Sequence, residues 1–308
     1  MRSLSATAEN MRMDMMRFNT VIGALGALAA SGFGSAAFAQ AEIQREFADN
    51  LPVIGAPVPN GVNFQPAVTE IARDIVFLDT FLLVVITVIA LFVTALLGWV
   101  IIRYNAKRNP EPARFTHNTP LEIAWTLVPV LILVVIGSLS LPILFKQLNI
   151  PEPDLTIKVT GYQWYWGYEY PDEGIYFDSF MLQPDQLADF GYGEELYQLA
   201  TDTAMVVPVD ATVRMQVTAA DVIHSWKINA FGVHMDAVPG RLNETWFRAE
   251  EEGVYFGMCS ELCGINHAYM PITVMVVSQE EYDAWLTQAR DLYAEAEIGE
   301  TIEVAAAE

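Results

Sequence analysis

The chain contains very few cysteines, and its second half contains very few basic residues. Only Cys259 and Cys263 occur among the 308 residues, so a small fold held together by several disulfides is excluded. Their C-x-x-x-C spacing also excludes the C-x-x-C pair of thioredoxin-like proteins and the C-x-x-C-H sequence that attaches haem. A single disulfide or a metal site remains for these two thiols.

Basic residues are scarce where acidic residues are abundant. Residues 1–150 contain 10 Lys+Arg and 10 Asp+Glu, whereas residues 151–308 contain 6 and 28, which accounts for the whole net charge of −22. A surface of this sign repels nucleic acid and attracts basic partners over long distances. The same charge also serves solubility, so it argues against a nucleic-acid partner without identifying the true one.

The N-terminus has the features of an export signal. A basic leader precedes an apolar stretch rich in small residues over 21–30, and Ala-Phe-Ala at 37–39 fits the small-x-small cleavage pattern. The stretch is too short and too rich in Gly and Ala for a membrane helix. We predict a signal peptide over 1–39. A Pro-rich periplasmic segment with little regular structure is then expected over 40–69.

Two uncharged runs, 80–102 and 123–145, contain 23 residues each. At about 1.5 Å per residue, each is long enough to cross a hydrocarbon core of about 30 Å. We therefore predict transmembrane helices over 70–104 and 118–147. The loop between them, 105–117, is rich in Lys and Arg, and short basic loops stay in the cytoplasm. Both flanks would then face the periplasm from a bacterial inner (cell) membrane, the side that the export signal also predicts.

After the second run the pattern changes to short segments rich in Val, Thr, Ile and aromatic residues, separated by turn residues. This pattern predicts a small all-β sandwich or barrel over 148–278. A capping box at Ser278 and Glu281 predicts a short helix that ends near Ala296. Residues 279–308 would therefore comprise a C-terminal helix and a loose acidic tail.

A short segment directly after a predicted strand concentrates metal-binding side chains. Its two thiols, imidazole and thioether belong to Cys259, Cys263, His267 and Met270. Soft sulfur ligands together with imidazole select copper, and a weak Met ligand is typical of electron-transfer copper sites. Because a second thiolate can bridge, two copper ions can share the pair. His224, in a predicted strand 35 residues before Cys259, is the expected remote ligand.

Two other uses of the thiols stay open. A Cys259–Cys263 disulfide is compatible with an oxidising periplasm, but it leaves His267 and Met270 unexplained. A zinc site of two Cys and two His has no use for Met. The composition of the segment favours copper over both alternatives.

Two further features carry expectations about function. Alternating aromatic residues should line one face of a single strand, namely Tyr162, Trp164, Trp166, Tyr168 and Tyr170. Some of them pack in the core, and an exposed Trp among carboxylates would contact a basic redox partner. Glu122, at the cytoplasmic start of the second membrane helix, is either an interfacial residue that snorkels or part of a proton path.

The membrane hairpin and four motifs together resemble the cytochrome c oxidase subunit II family of bacterial haem–copper oxidases. The motifs are Gln163-Trp164-Tyr165-Trp166, Asp221-Val222-Ile223-His224-Ser225-Trp226, Val238-Pro239-Gly240-Arg241 and the segment 259–270. The resemblance implies a cupredoxin-like domain that carries the binuclear copper centre called CuA. It also implies that electrons are accepted from cytochrome c and passed to the haem of subunit I. Oxygen reduction there would be coupled to proton pumping, and haems would occur only in subunit I.

The resemblance assigns a metal-binding role to six residues. The implied copper ligands are His224, Cys259, Cys263, His267, Met270 and the backbone carbonyl of Glu261. The side chain of Glu261 would contact a magnesium ion at the interface with subunit I. Other oxidase subunits and the lipid membrane are the remaining implied partners.

The resemblance also assigns roles away from the metal. Electrons would enter at Trp164, and Glu122 would lie near the mouth of a proton-uptake path. Cytochrome c would dock on three carboxylates, those of Glu169, Asp178 and Asp221. Tyr162 departs from the family, which usually has His at this position, but it does not correspond to a copper ligand.

Three neighbouring kinds of protein fit the sequence less well. A quinol-oxidase subunit II keeps the fold as a structural module but typically lacks the two Cys and the Met. A copper-delivery protein must release its metal, which a buried two-thiolate site on a membrane hairpin fits poorly. A nitrous oxide reductase has a similar copper loop, but it is soluble and carries a large additional domain.

Overall fold

The computed structural model describes residues 41–111 and 113–305, with side chains up to 293. The predicted signal peptide, 1–39, lies outside the described residues. The described chain begins with a short helix and strand, continues through a helical hairpin and a β domain, and ends in a helix. The predicted fold class, a two-helix hairpin followed by an all-β domain and a C-terminal helix, is therefore confirmed.

The helices of the described chain are α1 (41–50), α2 (Glu70–Arg103), α3 (Thr119–Leu148) and α4 (Gln279–Ala305). By length and composition, α2 and α3 are able to cross a membrane. Each begins at a capping side chain, which satisfies a backbone N–H that has no partner inside the helix. Thr69 accepts from the N–H of Ala72 at 2.9 Å, and Asn118 accepts from the N–H of Leu121 at 3.3 Å.

The strands belong to two sheets around one core. They are β1 (Val53–Gly55), β2 (Leu155–Tyr162), β3 (Tyr165–Tyr170), β4 (Ile175–Ser179), β5 (Met205–Pro208), β6 (Val213–Ala219), β7 (His224–Ile228), β8 (Val233–Ala237), β9 (Asn243–Phe247), β10 (Gly253–Cys259) and β11 (Pro271–Val277). One sheet has the order β5-β11-β10-β7-β8, with β1 added to β10, and the other has the order β4-β3-β2-β6-β9. The donor-rich segment 259–270 connects β10 to β11, two neighbours in the first sheet.

The alternating aromatic residues do not lie on one strand, so that prediction is wrong. β2 ends at Tyr162, β3 begins at Tyr165, and the two strands pair antiparallel with these residues opposite each other. Their rings stack with centroids 4.7 Å apart, and Gln163 and Trp164 form the turn between them. The other three aromatic residues are buried: Trp166, Tyr168 and Tyr170. Aromatic residues at every second position look the same on one strand and across a two-residue turn. The sequence pattern alone therefore could not reveal that the chain reverses direction here.

Residues 41–55 have regular structure and pack on the β domain, which corrects the expectation for the segment 40–69. Phe47 of α1 and Leu51, directly after this helix, belong to the core. The side-chain carbonyl of Gln44 accepts the N–H of Ala204 at 3.2 Å, across 160 residues of sequence. β1 adds to β10 as a parallel strand. The Pro content of 40–69 suggested an irregular segment. The contacts that order residues 41–55 are with distant parts of the chain, so the local sequence could not reveal them.

The β domain is attached to the first turn of α2 by direct hydrogen bonds. The Thr69 hydroxyl donates to the carbonyl of Phe231 at 2.8 Å. The Arg73 guanidinium donates two hydrogen bonds to the Glu250 carboxylate, at 2.8 and 2.9 Å. Bidentate Arg–carboxylate pairs combine geometric specificity with strength, so the domain has a defined position at the end of the hairpin.

The C-terminal helix α4 begins at the predicted capping box. The N–H of Ser278 donates to the Glu281 carboxylate at 2.9 Å, and the N–H of Glu281 donates back to the Ser278 hydroxyl at 3.3 Å. Trp285 is buried against the β domain. The helix continues to Ala305, so the predicted end near Ala296 is wrong. No Pro occurs between 279 and 305 to end the helix.

Candidate metal centre

The site is built where two neighbouring strands end. His224 begins β7 and Cys259 ends β10, and these strands pair so that Cys259 lies opposite Trp226. The pairing continues into the loop, because the N–H of Ser260 donates to the carbonyl of Ser225 at 2.9 Å. The sheet thereby brings the imidazole of His224 beside the donor-rich loop, as the sequence predicted for the remote donor.

The two thiols are surrounded by donors in matching positions. The sulfurs of Cys259 and Cys263 are 3.8 Å apart, too far for a disulfide bond of about 2.05 Å, and both thiols are free. Around Cys259 lie Nδ1 of His224 at 3.9 Å and the carbonyl of Glu261 at 3.3 Å. Around Cys263 lie Nδ1 of His267 and the thioether of Met270, each at 3.5 Å. All six predicted donors are therefore brought together.

The donor cluster is largely closed to solvent. His224, Cys259, Cys263 and Met270 are buried, with Met270 only 1 % exposed, whereas His267 is half-buried and Glu261 is exposed. Charges in such a site are poorly solvated, so each must be balanced by neighbouring groups or by a bound cation. The imidazole of His267 marks the side on which the cluster approaches the surface.

The two thiols cannot both ionise easily without a cation. Burial opposes ionisation of Cys259, but its interaction with His224 and the hydrogen bond from the N–H of Ser225 lower its pKa to about 7. Burial, followed by the charge of Cys259, raises the pKa of Cys263 to about 12. A metal cation between the sulfurs would stabilise both thiolates. The chemistry of the donor set therefore fits a soft, thiolate-binding metal such as copper.

Asp221 contacts the site in a way that the sequence did not reveal. Its carboxylate accepts a hydrogen bond from Nε2 of His224 at 2.9 Å, which leaves Nδ1 facing the thiols. Burial opposes ionisation of Asp221, but hydrogen bonds from His224 and from the N–H groups of Val222 and Gln163 outweigh it and lower its pKa. The residue that the resemblance assigned to partner docking therefore orients the imidazole of a candidate metal ligand.

The β2–β3 turn lies against the loop between β10 and β11. The indole N–H of half-buried Trp164 donates to the carbonyl of Cys263 at 3.2 Å, and the side-chain amide of Gln163 donates to the same oxygen at 2.8 Å. Gly264 has φ +122°, and a Cβ there would come 3.0 Å from the Trp164 ring. Sequence reasoning assigned a role to Trp164 but missed Gln163, whose only signal was its position in the same aromatic motif.

The remaining predicted site residues lie outside the donor cluster. Asp178 accepts the Tyr176 hydroxyl at 2.7 Å, and Glu169 forms an ion pair with Lys158 at 2.6 Å. Glu122 lies in the first turn of α3, where its carboxylate accepts the N–H of Asn118 at 3.1 Å. This last contact gives Glu122 a capping role that does not depend on proton uptake.

Fold and site together define a class of protein: a β-sandwich protein joined to a helical hairpin, with a sulfur- and imidazole-rich candidate metal site at one end of its sheet. Family models narrow that class. The model for the cytochrome c oxidase subunit II transmembrane domain matches residues 57–143, and the model for the periplasmic domain of the same subunit matches residues 155–277.

Individual relatives agree with the family models. The chain is 56% identical over 294 residues to cytochrome c oxidase subunit 2 of Cereibacter sphaeroides, covering 89% of this chain and 93% of the relative. It is 50% identical over 231 residues to a probable cytochrome c oxidase subunit 2 of Rickettsia felis, covering 75% and 72%. The chain belongs to the cytochrome c oxidase subunit II family, as the sequence motifs predicted.

A solved structure covers the β domain alone. It is the periplasmic domain of subunit II of cytochrome oxidase (CoxB) of Bradyrhizobium japonicum, which is 49% identical to this chain. The match covers 47% of this chain and 99% of that structure, with a TM-score of 0.43.

Proposed function

We propose that this chain is the subunit of a bacterial haem–copper oxidase that accepts electrons from cytochrome c at a binuclear copper centre. It passes them to the haem of subunit I, where oxygen reduction is coupled to proton pumping. One observation carries the proposal. Two buried thiols 3.8 Å apart each have an imidazole and a second, weaker donor of their own.

This duplicated donor set favours two metal ions over one. His224 and the Glu261 carbonyl lie by Cys259, whereas His267 and Met270 lie by Cys263. A structural zinc ion takes four ligands and would leave part of this set unused. When bound, a copper pair supplies reversible one-electron redox chemistry. The protein holds two donors at strand ends and four in the connecting loop, largely shielded from water, so that little needs to move when the charge changes.

The test is electron paramagnetic resonance of the full-length chain in detergent, loaded with copper. An unpaired electron shared equally by two copper nuclei gives a hyperfine pattern that differs from that of a single nucleus. We expect the two-nucleus pattern. A single-nucleus pattern, or the uptake of zinc without copper, would count against the dicopper proposal. Oxidised thiols with no metal bound would favour the disulfide alternative.

The surface around the metal loop fits a docking role for a basic cytochrome c. Leu262 and Ile265 are 76% and 87% exposed, next to the turn that carries Trp164, where electrons would enter. Asp178 and Asp221 provide nearby carboxylates, and the acidic residues of this half make the long-range field negative. Apolar contact inside a charged rim is common in transient interfaces. Glu169 contributes less, because Lys158 already pairs with it.

Salt dependence tests the docking proposal in the assembled oxidase. Exposed charges are screened over about 8 Å at physiological ionic strength, so the KM for cytochrome c should rise steeply with added salt. Turnover with a small uncharged reductant should change little and serves as the control. A KM for cytochrome c that does not depend on salt would contradict electrostatic docking.

Three further assignments belong to the same proposal. The exposed side chain of Glu261 contacts a magnesium ion at the boundary with subunit I, while its carbonyl faces the Cys259 thiol. Glu122 lies near a proton-uptake path on the cytoplasmic side. The N-terminus and the copper domain lie in the periplasm of the bacterial inner membrane, which the basic loop between α2 and α3 supports.

A further inference from the structure

The turn between β2 and β3 contacts both halves of the donor cluster through one residue. The side-chain amide of Gln163 donates to the carbonyl of Cys263 at 2.8 Å, across 100 residues of sequence. Its backbone N–H donates to the carboxylate of Asp221 at 2.7 Å, and Asp221 accepts from Nε2 of His224 at 2.9 Å. A continuous set of hydrogen bonds thus runs from the loop that carries Cys263 to the strand that carries His224.

We propose that Gln163 is a positioning residue, which holds the Cys263 loop and His224 at a constant separation by hydrogen bonds at both of its ends. The inference deepens the proposed copper function and rests on it. Gln163 does not contact a donor atom. It acts through the carbonyl of Cys263 on one side and through Asp221 on the other.

The packing around Gln163 leaves its amide little freedom. A Cβ on Gly264 would come 3.2 Å from the side-chain nitrogen of Gln163, so the loop backbone lies directly against it. Gln163 is nevertheless exposed as a residue. An exposed glutamine without a role rotates freely, whereas this one is bonded at its side chain and at its backbone.

The Cys263 carbonyl has a second donor, Trp164, at 3.2 Å. Loss of the Gln163 amide should therefore loosen the loop without releasing it. The fold should survive because Gln163 lies in a turn at the surface. The expected effect is confined to the relative placement of the two thiols and His224.

A docking role for Gln163 is the competing interpretation, because the residue lies beside Trp164 on the acidic surface. The variant Gln163→Glu separates the two roles. It adds a carboxylate, which would strengthen the docking of a basic partner. It also replaces the amide donor by an acceptor that is repelled by the Cys263 carbonyl, which would weaken positioning.

The experiment uses the full-length chain in detergent with Gln163→Glu and Gln163→Met, two changes that keep side-chain length and remove the donor. Gln183→Ala is the matched control, because Gln183 lines the same surface groove as Gln163 and Trp164. Two readouts need no partner protein. The first is the hyperfine pattern and midpoint potential after copper loading, and the second is the alkylation rate of Cys263 in the metal-free chain.

We expect both Gln163 variants to shift the hyperfine splitting and the midpoint potential. Alkylation of Cys263 should become about fivefold faster, the change expected when one hydrogen bond is lost. Gln183→Ala should match the wild type. If both Gln163 variants keep the wild-type spectrum, potential and alkylation rate, the proposal is overturned. If the wild type takes up no copper, the copper function fails, while the alkylation readout still tests the positioning role.

Discussion

The carboxylate of Asp221 lies 2.9 Å from Nε2 of the buried His224. This contact makes Nε2 the protonated nitrogen and leaves Nδ1 facing Cys259, at 3.9 Å from its sulfur. The Asp221 side chain is still 34% exposed, so one carboxylate both orients the imidazole of a candidate metal ligand and contributes to the acidic surface.

Asp221→Ala should therefore change two measurements, whereas Asp178→Ala should change only one. Each removes a carboxylate of the proposed docking surface, exposed in Asp221 and half-buried in Asp178. We expect each to raise the KM for cytochrome c about two- to fivefold in the assembled oxidase. Only Asp221→Ala should also alter the copper hyperfine pattern, because only it releases His224. A wild-type copper spectrum in the Asp221 variant would contradict the orienting role.

Cys263→Ser should abolish the two-nucleus copper pattern. The serine hydroxyl stays protonated at neutral pH and is a poor copper ligand. His267 and Met270, which lie beside Cys263, therefore lose the sulfur that they share. The check is electron paramagnetic resonance of the copper-loaded full-length chain. Ser260→Ala, in the same loop, should leave the pattern unchanged. A surviving two-nucleus pattern in the Cys263 variant would show that this thiol does not bridge.

Asp202 should make the stability of the β domain depend on pH. Burial raises the pKa of its carboxyl to about 6, although the N–H of Phe180 hydrogen-bonds to it and acts in the opposite direction. Because the folded state binds the proton more tightly than the unfolded state, this group is destabilising at pH 7 and ceases to be so as the pH falls through about 6 towards 4.

Asp202→Asn should remove this dependence. The difference in unfolding free energy between wild type and variant should change by up to about 3 kcal/mol between pH 4 and pH 7, in favour of the wild type at the lower pH. Urea titrations followed by tryptophan fluorescence provide the measurement. Asp185→Asn, at an exposed carboxylate, is the control. A pH-independent difference for the Asp202 variant would refute the prediction.

Leu51→Ala should destabilise the β domain although it lies before the membrane helices. Leu51 is 9% exposed and belongs to the core, and truncating a buried Leu costs about 2–4 kcal/mol of unfolding free energy. Val58→Ala, where the side chain is 71% exposed, should change the free energy little. Equal unfolding midpoints for the two variants would mean that the N-terminal segment does not contribute to the core.

The donor set was predictable because most of it is local. Cys259, Cys263, His267 and Met270 lie in one short segment, and their chemical types already select a soft metal. The membrane helices were equally predictable from the sequence, since a long uncharged run has few alternatives to a membrane span. The capping box at Ser278 was found for the same reason, because both of its partners lie within one helical turn.

The wrong predictions concern features that the local sequence does not determine. Alternating aromatic residues look the same on one strand and across a tight turn, so Gln163 and Trp164 were placed inside a strand. The segment 41–55 was expected to be irregular, because its partners are in the β domain far along the chain. The sequence after Ala296 was interpreted as a tail, although it contains no Pro that would end the helix.

The sequence by itself determined which candidate metal-binding groups this protein has, where its helical hairpin lies and to which family it belongs. Tertiary structure alone decided that Gln163 reaches Cys263 across 100 residues and Asp221 across 58, and that Asp221 holds the tautomer of His224. Local patterns report periodicity and burial, whereas the meeting of two distant polar groups depends on how the sheets pair and pack. The candidate ligands can therefore be identified from the sequence, whereas the hydrogen bonds that hold them in place depend on the fold.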